Sequence, residues 1–186
     1  MDNYRILLTQ EQIQSRIKEL GAEITEDYAG KEPVIICMLK GAVYFFADLT
    51  KNINLPIMID FARLSSYRNG TTSGKMELIA NITAKIEGKD VLIVEDIVDS
   101  GKTLAYFINL LKKKNPSSIK ICSFLDKKER READINPDYV GFDIPCGFVI
   151  GYGLDYAEKY REFPLLAEII DPEMLLIFLI LISVVR

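Results

Sequence analysis

The apolar run Val91 to Val94 leads without a break into Glu95 and Asp96 and then into Asp99-Ser100-Gly101-Lys102-Thr103, and this stretch restricts the fold more tightly than any other. Four consecutive branched apolar residues read as a strand buried on both faces, as in a parallel sheet, with the two acids at its carboxyl end. In an open α/β sheet that end is where ligands bind. Gly101 permits a tight turn, Ser100 and Thr103 offer hydroxyls, and Leu104 to Leu111 reads as an apolar helix. Successive backbone N–H groups at a helix N-terminus make a phosphate site. A Walker A loop requires a glycine five residues before the Gly-Lys-Thr, where this chain has Asp96, so a P-loop kinase is excluded. The plain alternative is a buried strand, a polar turn and a helix cap. Against it, three carboxylates within five residues repel one another unless a cation sits among them.

The chain of 186 residues suits one domain, with a small appendage at most, and is long enough to bury a substantial core. Its net charge of −4 argues against sequence-independent nucleic-acid binding, which draws affinity from basic surface. There is no histidine, so His-based catalysis is excluded. The three cysteines, Cys37, Cys122 and Cys146, include no CxxC pair, which argues against zinc and fits a reducing, cytoplasmic setting. The N-terminus carries an acid at position two and no long apolar core, so it does not read as a signal peptide.

Thr9 with Gln12 forms a capping box ahead of Ile13, Ile17, Leu20 and Ile24, which predicts an amphipathic helix over Gln10 to Glu26. Strands are predicted at Val34 to Leu39, Ile57 to Leu64, Val91 to Val94 and Ile119 to Phe124, with helices over Gly41 to Asn52 and from Leu104 to about Lys114. Ser65 to Lys75 reads as a polar loop. The alternation implies a largely parallel sheet. Beyond Lys127 come a charged linker, KKERREAD, and short strands at Tyr139 to Phe142 and Phe148 to Leu154 that read as a small lobe. From Met174 to Val185 only Ser183 interrupts an apolar tail, too short for the about 20 residues a spanning helix needs. An interface or core segment is the preferred reading of that tail; a weak membrane contact and sequence unrelated to the fold stay open.

From Pro33 to Asp171 the chain resembles hypoxanthine (6-oxopurine) phosphoribosyltransferases. The resemblance is carried by LKGAVYFFADL (Leu39 to Leu49), RLSSY (Arg63 to Tyr67), VLIVEDIVDSGKTL, DKKER (Asp126 to Arg130) and PDYVGFDIPCGFVIGYGLDYAEKYR (Pro137 to Arg161), in that order. It implies an α/β architecture, the type I phosphoribosyltransferase fold: a mostly parallel central sheet flanked by helices, with a small hood lobe. Residues 1–173 would form one domain, its hood drawn from N-terminal residues and from about 127–173, and 174–186 the apolar tail. The implied reaction transfers the 5-phosphoribosyl group of phosphoribosyl pyrophosphate (PRPP) to hypoxanthine or guanine, releasing pyrophosphate, in purine salvage. A homodimer or homotetramer is expected. A xanthine-preferring relative, or a PRPP-binding regulator of the same fold, is the alternative; Asp99 together with Lys127 disfavours the regulator.

The resemblance also assigns roles. Glu95, Asp96, Asp99, Ser100, Gly101, Lys102 and Thr103 would hold the ribose and 5′-phosphate of PRPP, and Lys40, Gly41 and Arg161 the pyrophosphate. Glu95 and Asp96 also suit a magnesium ion, a hard cation that shares its shell with phosphates and water, and Asp155 would join them there. Asp99 is the candidate catalytic residue: ribosyl transfer passes through an oxocarbenium-like cation while the attacking purine nitrogen sheds a proton, and one carboxylate beside the base serves both needs. Lys127 would donate to a 6-oxo group but face the amine of adenine with no acceptor. Phe148 would stack on the purine, Val149 would bond it through the backbone, and Asp155 would also touch the base. Ser66 and Tyr67 would close as a lid.

Overall fold

The structure, a computed structural model, describes residues 4–66 and 76–170. In chain order these form β1 (Tyr4–Leu8), α1 (Gln10–Asp27), β2 (Val34–Met38), α2 (Val43–Lys51), β3 (Met58–Ser66), β4 (Met76–Ala80), β5 (Asp90–Val98), α3 (Lys102–Lys112), β6 (Ser118–Asp126), β7 (Tyr139–Asp143), β8 (Val149–Ile150) and β9 (Leu166–Ile169). Thr9 caps α1 as its spacing predicts: the Gln12 backbone N–H donates to Thr9 Oγ1, and the Thr9 N–H donates to Gln12 Oε1 at 2.9 Å.

The main sheet runs β4-β3-β2-β5-β6-β7, parallel throughout except for the antiparallel pair β3 and β4. Strict alternation along β2 and β5 splits their side chains between two cores. Ile35, Cys37, Leu92 and Val94 pack with α1 and α2, whereas Val34, Ile36, Val91 and Ile93 pack with α3. Helices therefore cover both faces, which is why the central strands read as unbroken apolar runs. From β2 the chain moves outward to β3, then returns to the other side of β2 as β5. The strand order thus reverses between β2 and β5, and their carboxyl ends frame the crevice where an α/β sheet receives a ligand. A second, antiparallel sheet, β1-β9-β8, forms the hood, and Val149, Tyr152, Leu154 and Leu166 join it to the α1/α2 core.

Four sequence expectations are corrected. The strand at Val91 extends to Val98, because Glu95, Ile97 and Val98 continue the pairing with Ser123, Leu125 and Asp126, so Glu95 and Asp96 lie within it rather than after it. Ser65 and Ser66 belong to β3, and Met76–Ala80 returns beside it as β4, where the sequence reads a loop followed by nothing regular. Tyr139–Asp143 does not enter the small lobe: it extends the main sheet as β7, parallel to β6, without a crossover helix. Of the strand expected over Phe148 to Leu154 only Val149–Ile150 forms, followed by the single bridge between Gly151 and Leu154. Tyr67, the rest of the expected loop to Lys75, and the tail Met174 to Val185 lie outside the described residues.

Candidate active site

At the strand reversal the turn Leu39-Lys40-Gly41 follows β2, and Asp99 to Thr103 follows β5. Gly101 caps α3 with φ of 77°, a left-handed conformation that favours glycine, so the chain doubles back over the helix N-terminus. The turn and the end of β5 line a cavity of about 240 Å³ whose walls are Glu95 to Gly101 with Thr103 and Leu104. Six of the seven residues expected at PRPP line it; Lys102 is the one that does not. Its ammonium pairs with Glu132 instead, leaving only its backbone at the turn.

Asp99 is half-buried at the rim, and its Oδ1 is buried without a hydrogen-bond partner, while Oδ2 lies 3.9 Å from Arg130 Nη1. A buried carboxylate oxygen with nothing to accept is rare and points to a missing donor. Glu95 and Asp96 have no ion pair among the described residues. Burial first, and then the neighbouring Asp96 carboxylate, push the Glu95 carboxyl well above the usual range. Two adjacent acids with no ion pair among the described residues fit a hard divalent cation that takes a few protein oxygens and completes its shell elsewhere. Among the described residues no three His, Cys, Asp or Glu side chains converge as a closed metal cage. Asp155, in particular, is engaged elsewhere: Oδ1 pairs with Arg161 Nη2 at 2.7 Å, and Oδ2 accepts the Glu158 N–H at 2.8 Å.

Close approach fixes the Lys40–Gly41 turn. A Cβ on Gly41 would overlap the Asp96 carboxylate, and one on Gly153 would overlap the Gly41 carbonyl, so the turn is sandwiched between β5 and the hood. The Leu39–Lys40 peptide is cis. Lys40 and Arg161, expected together at pyrophosphate, are drawn together by one acid: Lys40 Nζ lies 2.7 Å and Arg161 Nη2 3.3 Å from Glu158. Lys40 and then Arg161 hold the Glu158 carboxyl below its ordinary range. Arg161 also donates from Nη1 to the Gly153 carbonyl at 2.7 Å, and its Nε is buried without a partner. Glu158 carries no signal in the sequence; an acid in the charged stretch Asp155 to Arg161 reads as surface.

Just beyond β6, Lys127 is largely enclosed, with 12% of its side chain exposed, and donates to the Gly147 carbonyl at 3.0 Å. Phe148 packs edge-on against Tyr156, with ring centroids 5.6 Å apart, and Val149 is buried in β8. Tyr152 ties this hood segment to α2: its hydroxyl donates to Asp48 Oδ2 at 2.7 Å, where Gln14 also donates at 2.8 Å. Tyr152→Phe is expected to cost about 1.5 kcal/mol, the worth of a hydrogen bond to a charged acceptor, read as a lower urea midpoint at unchanged m.

The family model for the phosphoribosyl transferase domain matches residues 3–157. Hypoxanthine-guanine phosphoribosyltransferase of Bacillus subtilis is 48% identical over 164 residues, covering 88% of this chain and 91% of that protein. The bifunctional protein TilS/HprT of Listeria monocytogenes is 44% identical over 93% of this chain, which spans only 27% of its length. A solved hypoxanthine phosphoribosyltransferase of Staphylococcus aureus superposes with a TM-score of 0.87 at 46% identity, covering 91% of this chain and 92% of that one. Among the described residues no helix is long and apolar enough to cross a membrane.

Proposed function

We propose, from the premise that the chain belongs to the phosphoribosyltransferase family and has its type I fold, that it transfers the 5-phosphoribosyl group of PRPP to hypoxanthine or guanine. The products are IMP or GMP and pyrophosphate. Residues 1–173 act as one domain, in a cytoplasmic homodimer or homotetramer. The observation that carries the chemistry is the unpartnered, buried Asp99 Oδ1 at the rim of the Glu95–Leu104 cavity.

The 5′-phosphate rests on the backbone N–H groups of the turn, with the hydroxyls of Ser100 and Thr103. Glu95 and Asp96 would hold the ribose hydroxyls and a magnesium ion, which would offset the charge of the departing pyrophosphate, and Asp155 would serve that ion or the base. Lys40, the Gly41 backbone and Arg161 receive the pyrophosphate, Arg161 as a planar fork. Lys127 reads the 6-oxo group, Phe148 stacks on the ring and Val149 bonds its edge. Ser66 and Tyr67 close over the centre. Asp99 Oδ1 accepts the proton that the purine nitrogen sheds as the new C–N bond forms and the bond to pyrophosphate breaks.

Purified protein supplied with PRPP, magnesium and, in turn, hypoxanthine, guanine, xanthine, adenine and uracil should form nucleotide and pyrophosphate with the first two. No nucleotide from any base would overturn the proposal. Glu158 occupies the two cations that pyrophosphate needs, so Glu158→Gln should tighten pyrophosphate binding by about two- to fivefold, the scale of an exposed ion pair, in a calorimetric titration.

A further inference from the structure

In the sequence Arg131 lies in a run of charges that reads as a solvated linker, yet in the fold only 14% of its side chain is exposed. Its guanidinium bonds three separate segments. Nε donates to the Asp99 carbonyl at 2.8 Å and Nη2 to the Val98 carbonyl at 2.9 Å, at the junction of β5 and the anion-binding turn. Nη2 also meets the buried Asp126 carboxylate at the end of β6, and Nη1 donates to the Ile135 carbonyl. The Val98 carbonyl accepts a second bond, from the Lys127 backbone N–H at 3.0 Å. Ser100 is held from the same side, its carbonyl accepting from the Glu132 and Ala133 N–H groups, both at 3.0 Å.

We propose, on the transferase reading given above, that Arg131 is a positioning residue that locks the Asp99 turn to the Lys127 segment, so that proton acceptor and purine reader keep one separation through turnover. It touches no substrate. The assignment rests on the shape of the group: a planar fork with five donors reaches two consecutive carbonyls on one segment while meeting a carboxylate and a carbonyl on others. Lysine at this place still neutralises Asp126 but cannot span those acceptors. Asp99 follows β5 and Lys127 follows β6, so the proton acceptor and the reader of the base sit on separate segments. A lost lock therefore shows in the chemical step, where small misplacements cost far more than they do in binding.

Arg131→Ala leaves the buried Asp126 only the exposed Lys128 ammonium at 3.6 Å and risks the fold, so Arg131→Lys is the variant to test. It should unfold near the wild-type midpoint, lose about tenfold or more in kcat with hypoxanthine, and keep KM for PRPP within a few fold. Amide hydrogen exchange gives a readout independent of turnover. Peptides covering 97–104 and 126–136 should lose protection together. Unchanged kcat in a folded Arg131→Lys protein, or loss of protection confined to 126–136, overturns the inference. Absence of turnover in the wild type would instead strike the transferase reading, and the paired exchange result would still decide whether Arg131 couples the two segments.

Discussion

Asp99→Asn is expected to lower turnover by about 10² to 10⁴, the usual worth of a general base, while PRPP affinity changes little. The substitution keeps the shape and hydrogen-bonding reach of the side chain but replaces an oxygen that can take a proton by a group that cannot. Backbone placement should survive, because the Asp99 carbonyl is held by Arg131 and the Ser100 carbonyl by two N–H groups, none of which involves the carboxylate. On the proposed reading PRPP would be gripped through neighbouring atoms, the turn amides and the Ser100 and Thr103 hydroxyls, so binding and chemistry separate. Initial rates with hypoxanthine, set beside equilibrium dialysis of PRPP, measure both. Wild-type turnover in the variant would remove Asp99 from its role. An equal loss in PRPP affinity would make it a binding residue only.

Sequence pattern reaches some parts of this molecule and not others, for physical reasons. β2, β5 and the helices α1 to α3 are readable because burial on both faces leaves an unbroken apolar run, and amphipathic helices leave one apolar stripe. β7 defeats the alternation rule: it adds to the sheet directly from the loop after β6, and its burial pattern, part core and part surface, resembles that of a hood strand. β1 and β9 are short, and their pairing spans most of the chain, Tyr4 with Ile169, so no local window contains it. The same divide runs through the site. Residues on one contiguous turn, Asp99 to Thr103, are recognisable from spacing. Arg131, Glu158 and Gly153 matter through what they touch across the fold, and those contacts leave no periodicity to read. Lys102 belongs with them, since nothing in the spacing of the turn signals that its ammonium pairs with Glu132.

Lys127 sets the second large effect, on which base is accepted. Its ammonium is nearly enclosed and satisfied by the Gly147 carbonyl, so a purine must offer an equally good acceptor for the site to close around it. The 6-oxo group of hypoxanthine or guanine does so. The 6-amino group of adenine presents hydrogens to hydrogens and gives the ammonium no acceptor on the base, a larger penalty than a missing apolar contact. Lys127→Ala should therefore lower kcat/KM for hypoxanthine and guanine by about 1–3 kcal/mol, roughly 5- to 150-fold. For adenine the wild type should show no useful turnover, and the variant should narrow the gap between the bases by weakening the good substrates rather than by improving the poor one. Gly147 holds the carbonyl in place, for at φ of 99° a side chain there would be strained and would overlap Glu168, itself anchored by Arg5 at 2.6 Å. Competition assays with hypoxanthine and adenine in one vessel give the ratio directly. Robust adenine turnover by the wild type, or an unaltered ratio in Lys127→Ala, would move the reading of the 6-position away from Lys127.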